Sequence, residues 1–431
     1  MKNKLSRLLH WSEKYTKTDM TYLTKGSFWL LAGHFIQMSS GLVMAIAFAN
    51  LLSKTSYGTY QSIMSIAAIL GGLTLSMAIP VKKAVAQGND GALRFGFHTQ
   101  LLWSVGIFIV AGIISAYYFY NDNQTLGKSL LVIGTLTPLI GSFSLYRSYL
   151  LGKKKFQESA ILGLWLRPVL IVTILVALYF TNDPFILILV YFTTSTLSTG
   201  FLYFLTVSKY KLQLIPDFKG VNYAKHLSVL GVISTIGNHA EKLFIFHFLG
   251  PAQVAIYSIA MLPSTHILGM YTTLSELIFP KFARRTYTSI KQGILNKIGI
   301  VFLSSVLVVG LFIVTAPYIY KIVFPAYPEA VLFSQLASLA ILTKFGNLFT
   351  QVFYAHEMKK ELYFIRVFSI VVKIVLLFIL IPKFGILGAV ISWLVFSIIW
   401  TLSSGLIFFT KKLRGEAKPV RTLKNEDDLD F

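Results

Sequence analysis

Apolar runs of about 20 residues recur along this chain, separated by short polar turns. Each run is long enough to cross a hydrocarbon core about 30 Å thick as a helix. They fall at residues 26–49, 59–80, 95–119, 128–151, 158–180, 185–207, 225–249, 256–279, 297–320, 329–355, 361–381 and 385–410, which predicts twelve membrane-crossing helices. A β-barrel would show alternating segments of about ten residues instead. The connections are short and rich in turn formers, such as Thr181-Asn182-Asp183-Pro184 and Gly250-Pro251-Ala252-Gln253. None is long enough to form a separate soluble domain. The first run starts near Ser27 behind a long polar leader, so no cleavable signal peptide is expected.

Composition agrees with an all-α polytopic membrane protein. Of 431 residues, 55% are hydrophobic and only 13% charged, against about 25% charged in soluble domains. The absence of cysteine excludes disulfides, thiolate metal sites and thiol catalysis. No H-E-x-x-H, G-x-S-x-G or P-loop pattern occurs. A membrane transporter without a metal or cofactor is therefore expected, not an enzyme.

Lys and Arg set the orientation. With the N-terminus inside, the outer loops hold only Lys54, Lys128, Lys321 and Lys383, while most of the 39 basic residues fall in inner loops and termini. Both termini are then cytoplasmic. The net charge of +22 reads as this bias, facing anionic lipid, and needs no nucleic acid. Residues 1–25 are basic with Leu5, Leu8, Leu9 and Trp11 near helical spacing, which predicts a helix on the cytoplasmic surface. Residues 411–431 turn from basic to acidic and read as a solvated, disordered tail.

Against this apolar background, the polar residues inside the runs stand out. Arg167, Lys242, Lys344 and Lys373 lie deep in their predicted helices. A buried cation there costs at least about 2.5–3.5 kcal/mol on insertion scales and marks a functional site by default. Such a set of cations suits an anionic substrate, and the four are expected to line one cavity. Arg147 and Arg366 lie nearer the membrane edge, where snorkelling competes with a binding role. Lys344, Asn347 and Gln351 follow at i, i+3 and i+7, which predicts a polar stripe on one helix face. Asn238 and Glu241 accompany Lys242, with Glu241 either neutralising it or serving as a protonatable coupling site. His34 could couple protons or tie helices together. Gly71-Gly72, Pro138, Pro168 and Gly231 are candidate bending points.

The chain carries an internal repeat. Leu52 to Tyr60 follows the first run as Leu249 to Tyr257 follows the seventh, with Leu and Tyr at matching places. Lys154-Lys155 precede the fifth run and Lys359-Lys360 the eleventh, each leading to a deep cation, Arg167 or Lys373. Two pseudo-symmetric six-helix lobes are expected, at residues 26–215 and 216–410, related by an axis along the membrane normal.

Leu249-Gly250-Pro251 with Ala255-Ile256-Tyr257, and Gly385-Ile386-Leu387-Gly388-Ala389-Val390, carry a family resemblance. In these residues the chain resembles the polysaccharide (Wzx-type, O-antigen) flippases of the multidrug/oligosaccharidyl-lipid/polysaccharide exporter superfamily. The resemblance implies two lobes around a cavity in the bacterial inner membrane. The implied substrate is an undecaprenyl-pyrophosphate-linked oligosaccharide, moved to the periplasmic leaflet for surface polysaccharide assembly. A polysaccharide polymerase and glycosyltransferases are the implied partners. The alternative is a multidrug efflux transporter of the same superfamily. Cationic drugs would require buried carboxylates, and Glu241 is the clearly deep one.

Overall fold

The computed structural model describes residues 20–210, 221–283, 285–356 and 358–411, and every regular element among them is helical. The predicted surface segment up to residue 19, the tail beyond Lys411 and the side chain of His34 lie outside the described residues.

The chain divides into two compact units, Met1–Ala255 and Ile256–Phe431. The first holds α1 (Met20–Leu51), α2 (Lys54–Gly72), α3 (Ala78–Ala86), α4 (Ala92–Trp103) and α5 (Val105–Tyr120). It continues with α6 (Gln124–Phe143), α7 (Leu145–Gly152), α8 (Phe156–Phe180), α9 (Pro184–Lys209) and α10 (Val221–Leu249). Most of α11 (Pro251–Ala283) belongs to the second unit. With it come α12 (Tyr287–Val323), α13 (Ala330–Ser338), α14 (Gly346–Ala355), α15 (Lys359–Phe384) and α16 (Ile386–Thr410). The expected lobe boundary falls before α10, whereas packing divides the chain after α10, because α10 lies along α2.

Every predicted span coincides with a helix or with a broken pair of helices. Among the described residues, eight are long and apolar enough to cross a membrane, and α13 with α14, bent by 45°, makes a ninth. The chain is therefore a multi-pass membrane protein. Of the other three, α1 counts as an apolar helix only over Phe35–Leu51, where its side chains are described, and α2 and α10 are interrupted by polar residues.

The turns explain where helices begin. Ser53 Oγ accepts from Ser56 N at 3.0 Å, Asn123 Oδ1 from Leu126 N at 3.1 Å, and Asp183 Oδ1 from Phe185 N at 2.9 Å. Each satisfies an N–H that the first turn leaves without a partner. Gly250 and Gly385 take φ of 86° and 58°, a region that favours glycine. At Gly388 a Cβ would come within 2.2 Å of the Leu380 carbonyl oxygen. Gly250, Gly385 and Gly388 are thus required by backbone geometry.

Besides the 329–355 span, divided between α13 and α14, three more spans predicted as continuous are broken. Residues 59–80 divide into α2 and α3, 95–119 are interrupted at Ser104, and 128–151 at Ser144. The first break follows Gly71-Gly72, one of the expected bending points. Inside a membrane the freed backbone groups need partners. Met77 N donates to Gln100 Oε1 at 3.1 Å, and Ser76 N to Ser228 Oγ on α10 at 2.9 Å. An apolar cluster that includes Met77, Val81, Leu93, Tyr149 and Leu150 packs around this break. In the second unit, Phe282, Tyr287, Phe349, Phe353 and Phe408 belong to an apolar core among the described residues.

Candidate functional site

In the first unit the two polar helices α2 and α10 meet. Tyr57 and Gln61 lie one turn apart on α2, on one face. The Lys242 ammonium on α10 donates to Gln61 Oε1 at 2.8 Å, and Gln61 Nε2 donates to the Tyr57 hydroxyl at 2.9 Å. An ammonium can only donate, so the Gln61 amide must turn its carbonyl toward Lys242. Tyr57 is 1% exposed and Glu241 is buried, while Lys242 keeps partial exposure. Glu241 lies within electrostatic reach of Lys242. Asn238, one turn earlier on α10, is exposed.

Close backbone approach holds this seam together. A Cβ on Gly58 would fall 1.7 Å from the Pro251 carbonyl oxygen, and one on Gly72 would meet the Thr235 side chain at 3.1 Å. The Ser76–Ser228 bond adds a third tie.

Arg167 on α8 is partly buried and lies within electrostatic reach of Tyr146 on α7 and Tyr191 on α9. Tyr60 on α2 is within reach of both Tyr191 and Tyr57. Phenols thus lie within electrostatic reach of Arg167, and Tyr60 lies within reach of the tyrosine that Gln61 bonds. Arg147 is exposed on α7, beside Tyr146.

In the second unit, a 3-10 turn at Leu339–Thr343 follows α13, and Lys344 sits in the gap before α14. The predicted stripe is corrected here, because Lys344 occupies a helix break and not a helix face. Thr401 Oγ1 on α16 donates to the Thr343 carbonyl at 2.8 Å, satisfying a group the break releases. Asn347 Nδ2 is 3.5 Å from Thr272 Oγ1 on α11, and Gln351 is buried in the unit's packing. Lys373 on α15 is 2% exposed, with its ammonium 5.0 Å from the centre of the Phe396 ring on α16. Arg366 Nη2 donates to the Tyr354 hydroxyl at 3.0 Å, tying α15 to α14.

The four deep cations therefore differ. Lys242 is held by an amide, and Lys373 is packed against an aromatic face. Neither Arg167 nor Lys344 has a hydrogen-bond acceptor or a carboxylate partner among the described residues. Among the described residues no group of three or more His, Asp or Glu could hold a metal ion.

Sequence reasoning passed over Gln61, Tyr57, Tyr146 and Tyr191. The signal for Gln61 was present: an amide within an apolar run, one helical turn after a tyrosine. Its partner on α10 follows only from packing.

A family model described as "Polysaccharide biosynthesis protein" matches residues 23–286. No curated protein sequence matches the chain. Solved structures share its fold at low identity. An inward-facing multidrug resistance MATE family transporter of the MOP superfamily superposes with TM-score 0.67 at 14% identity, covering 86% of this chain and 93% of the other. An outward-facing one gives 0.59 at 14%, covering 90% and 94%. A MOP superfamily transporter from Pyrococcus furiosus, noted for a binding pocket of reversed polarity, gives 0.59 at 13%, covering 90% and 95%.

Proposed function

Since this chain belongs to the polysaccharide biosynthesis protein family and has the fold of MOP superfamily transporters, we propose that it is a flippase for lipid-linked oligosaccharides. The substrate is a polyprenyl-pyrophosphate-linked repeat unit, carried from the cytoplasmic to the periplasmic leaflet of the bacterial inner membrane. Both termini face the cytoplasm in this reading. Its working partners are the polymerase and glycosyltransferases of a surface polysaccharide pathway.

The observation that carries the reading is the pair of deep cations, Arg167 and Lys344, without an acceptor among the described residues. An uncompensated charge at such depth is stabilised by an anion brought to it. A pyrophosphate offers several acceptors, which a guanidinium grips through its fork and an ammonium through point charge. Export of cationic drugs would place the opposite charge in these positions, and Glu241 is the deep carboxylate among the described helices.

The test is flipping of a labelled undecaprenyl-pyrophosphate oligosaccharide in proteoliposomes. Arg167→Ala and Lys344→Ala should each lower flux by about tenfold or more, the scale of a lost charge-assisted hydrogen bond. Arg167→Lys should recover part of it. Movement of a cationic dye with none of the lipid-linked sugar would overturn the proposal in favour of drug export.

A further inference from the structure

We infer that Gln61 is an internal competitor for the Lys242 ammonium and so sets the affinity for the anionic headgroup; the inference rests on the flippase reading above. Gln61 Oε1 takes a hydrogen bond from Lys242 at 2.8 Å, the bond a phosphate oxygen would otherwise take. Its other end is anchored, because Gln61 Nε2 donates to the fully buried Tyr57 hydroxyl at 2.9 Å. The carbonyl is therefore aimed at Lys242 by a second bond and does not have to be ordered when it engages.

The surrounding seam keeps the competitor in place. Gly72 of α2 against Thr235 of α10, Gly58 of α2 against Pro251 just past the end of α10, and Ser76 just past the end of α2 against Ser228 of α10 keep the two helices together on either side of Gln61. Lys242 is thus exchanged between partners by rotating its own side chain. It retains the partial exposure this requires, which Tyr57 lacks. A phosphate oxygen carries charge and makes the stronger bond to an ammonium, so exchange toward the substrate is favourable. The cost of breaking the Gln61 bond lowers the net affinity and eases release of the headgroup.

Binding of inorganic pyrophosphate and of a short-chain polyprenyl pyrophosphate to the purified full chain, measured by calorimetry, tests this. Gln61→Ala should bind about tenfold more tightly, since a bond to a charged group is lost from the free protein. Gln61→Glu, which offers Lys242 a carboxylate, should bind about tenfold more weakly. Gln61→Leu removes the carbonyl but keeps the volume, so it should bind as tightly as Gln61→Ala, which separates loss of the bond from loosening of the seam. Both shifts should vanish in a Lys242→Met background. If Gln61 instead aims the ammonium at the ligand, Gln61→Ala and Gln61→Leu will weaken binding, and the competitor role is overturned. Unchanged affinity, or shifts that persist without Lys242, overturn it equally. Should the wild type bind neither probe, the flippase reading itself falls, and this inference with it.

Discussion

A cation inside a bilayer is stable only where something takes up its charge, and among the described residues two of the four deep cations, Lys242 and Lys373, have such a partner inside the protein. Lys373 has it within its own unit, against the face of Phe396, at 2% exposure. Its chief contribution should therefore be to packing. Lys373→Ala is expected to leave a cavity and cost about 2–5 kcal/mol, visible as lower protein level and melting temperature. Lys373→Met, close to it in volume, should keep most of the stability. Equal flux losses for both variants at unchanged melting temperature would show a substrate contact instead. Arg167 and Lys344 should behave the other way, losing flux at unchanged protein level. The depth of each cation is visible in the residue pattern. Which of them has an internal partner depends on Gln61 and Phe396, which lie far away along the chain.

Helices are held at their closest approaches by glycine, and the requirement is specific to position. Gly58 lies against the Pro251 carbonyl, and Gly388 against that of Leu380. Because both obstacles are backbone, no side-chain rotation can make room. Gly58→Ala and Gly388→Ala should fail to accumulate in the membrane. Gly231, on α10, has nothing within 4 Å of its would-be Cβ. Gly231→Ala should be neutral or stabilise by up to about 1 kcal/mol. Thermal unfolding of detergent-purified variants separates these outcomes, and equal loss from all three would refute the close-approach argument. The breaks at Leu73–Met77 and at Lys344 follow the same physics. A helix can stop inside the membrane only where neighbours such as Gln100, Ser228 and Thr401 accept or donate the freed bonds. Gly71-Gly72 signalled the first break. The second has no glycine before Lys344 and no proline, so the 329–355 run read as one helix.

For the chain as a unit, the charge distribution leads to a topology that fusions can check. Reporters placed after Leu126 and Asp183 should report periplasm, and reporters after Lys155 and Lys219 cytoplasm. One reversed site would refute the orientation with both termini inside. The spacing of the apolar runs is a property of the sequence alone, and the expected orientation rests on the same local transfer energies. A run of about 20 apolar residues partitions into the bilayer whatever its neighbours, and flanking Lys and Arg orient it. The deep cations belong to the same level, since depth is counted along a single helix. Tertiary structure decided everything that depends on which helices touch. It assigned α10 to the packing of α2, although the lobe boundary expected from the sequence groups it with the later helices. It brought Gln61 to Lys242 across most of the first half of the chain and left Arg167 and Lys344 without an acceptor among the described residues. Apolar periodicity carries no record of these pairings: inside a membrane many helix contacts bury similar surfaces, and close glycine approach and hydrogen bonds between distant residues select among them.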